Sequence, residues 1–255
     1  MTIHPNNTYL GDCLELLNGC SEGSIDMILC DPPYGTLNKK NEKAAWDQPI
    51  DLQELWKHYR RILKQNGVVI LFSQGLYTAE LMLSCKDMWR YNLVWDKCTS
   101  TGFLNANRMP MRQHENISVF YRKQPTFHPQ MRKCLLSERN HGRGKLNNTP
   151  QTNSCYGNYG YYKQEIKDVK FPTSIISIPR EHRNGAYYHP TQKPVELMRY
   201  LIRTYSNPGE VILDNCMGSG TTCVAAILEG REYIGMEKEE SFYHIANERI
   251  KSIII

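Results

Sequence analysis

Four consecutive residues, Asp31-Pro32-Pro33-Tyr34, sit directly after a short, mostly apolar run at 24–30. Each proline fixes φ and lacks an N–H, so the turn is stiff, and Pro33 steers its predecessor away from helix. The Pro32 carbonyl is left free to accept, the Asp31 carboxylate stands beside it, and Tyr34 adds a flat π-face. Two acceptors next to a stacking ring fit the exocyclic amino group of a planar base, which carries two N–H donors. A single Asp-Pro pair is also an ordinary turn. The four-residue combination at a strand end is more specific, because ligands of open parallel sheets gather at the carboxyl ends of strands.

A second loop, Asp214-Asn215-Cys216-Met217-Gly218-Ser219-Gly220-Thr221-Thr222, also follows a strand-like run and opens a helix. Its glycines admit close approach of a ligand, and the helix start offers free N–H groups. No lysine follows the glycines, so a phosphate-cradling P-loop is unsupported. Glu237 stands 23 residues beyond Asp214, at the end of the next strand-like run. An acid there takes a ribose hydroxyl pair in nucleoside-binding folds. The expected cargo is a nucleoside bearing a carboxylate instead of a diphosphate, and S-adenosylmethionine fits.

These loops need rigid elements behind them. Residues 24–30, 68–72, 91–95, 116–121, 210–213 and 232–236 read as strands. Residues 52–63, 76–88, 194–205, 223–229 and 239–251 read as helices. Strands alternating with helices predict an α/β fold with a doubly wound, mostly parallel sheet. The rhythm fails over 122–185, which holds several glycines and prolines and an Asn/Thr-rich stretch at 147–153. A stretch this long without elements is expected to be an insertion or small subdomain. The expected division is a catalytic domain at 1–121 and 186–255 with an inserted segment at 122–185.

The 255 residues carry a net charge of +5, but the charge is uneven. Residues 122–185 carry +8 and the remainder −3, a mildly acidic body with a basic middle. Basic residues among Tyr, Asn and Gly suit a phosphate-facing surface, or simply a solvated loop. The longest apolar run, 223–228, is six residues, far below the ~18 of a membrane span. The N-terminus lacks a secretory pattern, so a cytoplasmic location is expected. Nine cysteines without a CxxC pair predict reduced thiols and no cysteine-rich zinc site.

Taken together, Asp31-Pro32-Pro33-Tyr34 and the 214–222 loop resemble the DPPY and FxGxG-type motifs of the amino-group DNA methyltransferases. The DPPY motif comes first, the order of that family's β-group. His189-Pro190-Thr191-Gln192-Lys193-Pro194 is similar to its HPTxKP motif, with smaller echoes at Gly11-Asp12 and Trp95-Asp96-Lys97. The resemblance covers nearly the whole chain outside 122–185, where that family places target recognition. One departure is Asn215-Cys216, where the family reads Pro-Phe and the Phe packs against the cofactor. The resemblance implies S-adenosylmethionine as cofactor. Asp214, Gly218, Ser219, Gly220, Thr221 and Thr222 would surround its methionine half and Glu237 its ribose. Thr191 and Lys193 would lie near its carboxylate, and Asp12, also readable as a helix cap, near its adenine. Asp31, Pro32, Pro33 and Tyr34 would be catalytic, with no metal. Double-stranded DNA would be the partner, held by Arg132, Lys133, Arg139, Arg143 and Lys145. A cognate restriction endonuclease and a homodimer stay open.

A sulfonium methyl is already electrophilic, and the base amino nitrogen is what needs activating. Asp31 and the Pro32 carbonyl would accept its N–H bonds and stabilise charge arriving on nitrogen. Cytosine C5 chemistry needs a thiolate, which the C5 methyltransferases present as Pro-Cys, a pair not found here. A base stacked in duplex must be flipped out to reach such a loop. Asp at the first motif position leans to adenine N6 in this family, and Ser to cytosine N4. The alternatives are an N4-cytosine enzyme, a catalytically weak DNA-binding relative, and a methylase of RNA or a protein amide.

Overall fold

The computed structural model describes residues 1–35, 47–134, 152–153, 157–158, 169–180 and 192–254. The strands are β1 Asn7–Leu10, β2 Ile25–Cys30, β3 Leu63–Ser73, β4 Trp89–Thr101, β5 Arg112–Tyr121, β6 Arg132–Lys133, β7 Thr152–Asn153, β8 Gly157–Asn158, β9 Val169–Lys170, β10 Ile175–Ser177, β11 Val211–Asp214 and β12 Glu232–Glu237. The helices are α1 Cys13–Leu17, α2 Leu52–Ile62, α3 Leu76–Ser84, α4 Val195–Tyr205, α5 Thr221–Leu228 and α6 Glu240–Ile254.

Two compact units emerge, residues 1–128 with 174–255, and residues 129–173. In the first, eight strands form one sheet in the order β1-β12-β11-β2-β3-β5-β4-β10. β5 runs antiparallel to both of its neighbours, and every other pairing is parallel. This is the mostly parallel α/β sheet that the strand–helix rhythm predicts.

Side-chain alternation along the strands explains the double winding. On β2, Met27 and Leu29 face a core shared with Leu197 and Leu201 of α4 and Val224 and Ala225 of α5. Ile28 and Cys30 point the other way, against Leu55, Tyr59 and Ile62 of α2 and Leu81 of α3. Successive strand residues face opposite sides, so a continuous apolar run buries both.

The elements differ from the sequence pattern at their edges. Asn7-Thr8-Tyr9-Leu10 is short and half polar, with no strand signal of its own; pairing with β12 makes it a strand. α3 stops at Ser84 instead of 88, because the Met88 and Trp89 amides turn back onto the Cys85 carbonyl. β4 and β5 extend well beyond 91–95 and 116–121, since they pair with each other as far as Thr101 and Arg112.

The compact second unit is narrower than the 122–185 composition break. The Arg122 guanidinium bonds the carbonyls of Arg60 and Leu63, and the His128 amide bonds the Thr204 carbonyl. β10 pairs with β4. Both flanks are thus fastened to the first unit. The second unit carries the short pairs β6–β9 and β7–β8.

Candidate active site

β2 and β11 are parallel neighbours in mid-sheet. From β2 the chain proceeds to β3 on one side, and from β11 to β12 on the other. Their carboxyl ends therefore form the switch point of the sheet, where a crevice opens. Asp31–Tyr34 leaves β2 there and the 214–220 loop leaves β11. Residues of both loops line one cleft of about 740 Å³, together with Asp12, Lys193 and Glu237. That volume suits a nucleoside-sized ligand.

The glycine loop is held from several directions. The Cys216 amide donates to Asp214 Oδ1 at 3.1 Å, and the Met217 amide to the Met236 carbonyl at 2.9 Å. Gly220 has φ +78°, and a Cβ there would sit 3.0 Å from the Ala246 Cβ, so a side chain would be strained in both backbone and packing. Arg249 donates to the Ser219 carbonyl at 2.6 Å, and Ser219 Oγ reaches Gln192 at 3.2 Å. Glu237 Oε2 accepts from the Gly218 amide at 2.8 Å and Oε1 from the Glu239 amide at 2.8 Å. Each carboxylate oxygen still has acceptor capacity, enough for the two hydroxyls of a ribose. Burial raises the Glu237 carboxyl above its usual value and pushes Asp214 up to about 7.

The departure at Asn215-Cys216 has a structural account. Asn215 is buried, and its Oδ1 accepts from the Tyr59 hydroxyl at 2.6 Å, locking the loop to α2. Cys216 packs against the same core as Cys13 and Cys30. Burial and neighbouring thiols keep these sulfurs protonated. Asp12 caps α1 through the Leu14 amide at 2.9 Å and also lines the cleft.

At the other loop, Asp31 is gripped on both oxygens. The Tyr34 hydroxyl donates to Oδ1 at 2.5 Å, and the Lys193 ammonium donates to Oδ2. The Tyr34 ring lies 5.4 Å from that of Tyr77. Lys193 is thus brought to Asp31; it also pairs with Glu115 Oε2 at 3.3 Å, and Lys97 pairs with Glu115 Oε1 at 3.4 Å. Burial raises the Asp31 carboxyl, Lys193 opposes the rise, and Glu115 adds to it. Burial also pushes Glu115 up, but the two lysines outweigh it and hold it below the usual range.

Sequence reasoning missed Glu115 altogether, and met Lys97 only as part of a weak echo. An acid in an antiparallel strand between His114 and Asn116 gives no local signal; the β4–β5 pairing, opposite Trp95, brings it into the lining of the cleft. Thr191, Arg139, Arg143 and Lys145 lie outside the described residues. Arg132 and Lys133 form β6 in the second unit. Among the described residues no cluster of His, Cys, Asp or Glu could hold a metal, the eight described cysteines are free, and no helix is long and apolar enough to cross a membrane.

The cleft's charge bears on its cargo. Eight carboxylate side chains line it against five basic ones, an excess that suits a cationic nucleoside and disfavours a diphosphate. The lining therefore fits a sulfonium nucleoside.

Comparison with known proteins agrees with this chemistry. A DNA methylase family, N6/N4 type, matches residues 25–248. The chain is 30% identical to the Type II methyltransferase M.HinfI of Haemophilus influenzae, over 97% of this chain and 69% of that one. It is 28% identical to the orphan methyltransferase M.BamHII of Bacillus amyloliquefaciens, over 96% and 92%. Among solved structures, the cytosine-N4-specific PvuII DNA methyltransferase superposes with TM-score 0.68 at 18% identity, covering 97% of this chain and 87% of that one. The complex of M1.HpyAVI with S-adenosylmethionine gives 0.61 at 18%, covering 96% and 98%. With its acceptor corner and glycine loop joined in one cleft, the chain belongs to the N6/N4 DNA methylase family, and its methyl donor is S-adenosylmethionine.

Proposed function

We propose that this protein is a site-specific methyltransferase acting on the exocyclic N6 of adenine in double-stranded DNA, with the target base extruded from the helix. The observation that carries the reading is the meeting of Asp31–Tyr34 and the 214–220 loop in one cleft at the sheet's switch point. S-adenosylmethionine supplies an electrophilic methyl group and needs no further activation.

The chain's own residues do the rest. Asp214, Ser219 and Thr221 hold the methionine half, Glu237 the ribose, and Asp12 lies toward the adenine. Tyr34 and Lys193 orient the Asp31 carboxylate, which keeps a lone pair on each oxygen for the incoming amino group. Asp31 and the Pro32 carbonyl accept the two N–H bonds and stabilise positive charge arriving on nitrogen. Lys193 alone would oppose that charge. Glu115 offsets it, so the set Asp31, Glu115, Lys97 and Lys193 is formally neutral. Holding nitrogen, methyl and sulfur in line supplies the remaining acceleration; the sulfur would keep the bonding pair and leave as a neutral thioether, and the amino nitrogen would then lose one proton to solvent.

Asp31 at the first motif position favours adenine. The N4-cytosine reading is the alternative, and the fold likeness to a cytosine-N4-specific enzyme keeps it in view. Duplex backbone is gripped from the basic inserted segment, with Arg132 and Lys133 as contacts, and with Arg139, Arg143 and Lys145 from its sequence. Sequencing of methylated DNA from a host lacking other methylases, expressing this chain, gives base, position and recognition site together. Methylcytosine instead of N6-methyladenine would overturn the adenine assignment. Unmodified DNA from a well-expressed protein would overturn the whole reading.

A further inference from the structure

Between β4 and β5 the chain makes an excursion over residues 102–111. Phe103 is 79% exposed, Leu104 97%, Met109 54% and Met111 41%. Single exposed apolar residues are ordinary; four large ones within nine positions of one excursion are more than scattered exposure. The segment is built, not frayed. Gly102 turns in the left-handed region at φ +94°, and Phe103–Asn105 form a 3-10 turn. The amides of Arg108 and Met109 both return to the Asn105 carbonyl, at 2.9 and 3.0 Å.

Charge and position say what covers it. No acidic residue occurs from Lys97 through His114, while Arg108 and Arg112 flank the methionines. Thr101 and Arg112, at the base of the excursion, line the catalytic cleft. Arg112 is braced there by Gln74 at 2.8 Å. An apolar tip on a cationic stem at the mouth of a base-modifying cleft is complementary to a nucleic acid duplex, with anionic strands outside and apolar base faces within.

Resting on the base-extrusion reading above, we propose that residues 102–111 form the wedge that enters the duplex as the target nucleotide leaves it. Phe103 and Leu104 stack into the vacated step, and Arg108 and Arg112 hold the flanking phosphates. Apolar side chains inserted between base steps offset the lost stacking in other DNA-deforming proteins. A second copy of this chain fits the tip less well, because pairing two tips would bring the arginines together without a carboxylate among them.

The test compares wild type with the double variant Phe103→Ser/Leu104→Ser on a duplex carrying the recognition site found by sequencing. It also uses the same duplex with an abasic position opposite the target, and one with 2-aminopurine as the target. Both side chains are solvent-exposed, so folding and S-adenosylmethionine affinity should match wild type. On the paired duplex kcat/KM should fall about 30-fold or more, and on the abasic duplex, where extrusion is nearly free, less than about threefold. The 2-aminopurine fluorescence rise seen with wild type should shrink. Equal losses on both duplexes, no loss on either, or a change from dimer to monomer by light scattering would overturn the wedge. Absence of a fluorescence rise with the wild type itself would overturn base extrusion, and the wedge with it.

Discussion

Glu115→Gln removes one charge from the formally neutral set Asp31, Glu115, Lys97 and Lys193 and keeps the side chain's shape. Lys193 then has Asp31 as its only described anionic partner, and the set carries +1. At 3.3 Å and an effective dielectric near 20, the Glu115–Lys193 attraction is at most about 5 kcal/mol. Breaking one arm of a buried pair typically costs about 3–5 kcal/mol. Relaxation of Lys193 toward Asp31 recovers part of this. About 2–3 kcal/mol is left against the step in which the amino nitrogen gains positive charge beside an uncompensated ammonium. At about 1.36 kcal/mol per decade, kcat should fall on the order of 100-fold. Single-turnover methylation of a duplex measures it, with S-adenosylmethionine affinity by calorimetry as the control for folding. The pH profile separates charge from mere packing. The Glu115 charge helps raise the Asp31 carboxyl, so its removal should move the acidic limb of the profile to lower pH. A variant that folds, binds cofactor like wild type and methylates within threefold of it, with an unmoved acidic limb, would refute this electrostatic account.

Three further outcomes are expected. Asp214 is raised to about 7 by burial, so its proton favours the cofactor-free fold below that value and is lost above it. S-adenosylmethionine affinity measured by calorimetry should therefore rise with pH up to about 7 and level off beyond, and Asp214→Asn should flatten the dependence. Tyr59→Phe leaves the buried Asn215 carbonyl without its donor and should destabilise the fold by about 1–3 kcal/mol, read by denaturant titration, with weakened cofactor binding. Arg132→Ala/Lys133→Ala should weaken duplex binding and lower the slope of log K against log salt by about 1.8, while cofactor affinity is unchanged; an unchanged slope would remove these two side chains from the DNA contact.

How much of this is legible in the sequence depends on whether a residue's role is local. The prolines of Asp31–Tyr34 and the glycines of the 214–220 loop act through their own backbone, and their neighbours in sequence suffice to reveal them. Strand and helix periodicity likewise reports local burial, so β2, β3, α2, α4 and the alternation implying a parallel α/β sheet could be read directly. Asp12 was open between two roles because a cap is a local property and a cleft wall is not.

The chain's own order of residues thus determined the two loops and the layered class of the fold. Only the tertiary structure decided how they combine. The switch point between β2 and β11 brings together residues more than 180 positions apart. The antiparallel return of β5 carries Glu115 to Lys193, 78 residues away. Asn215, which reads as a defect in a motif, is a buried acceptor satisfied from α2. Electrostatic balance in a buried site is a property of distances across the fold, and those are created by packing, to which no local pattern of residue types responds.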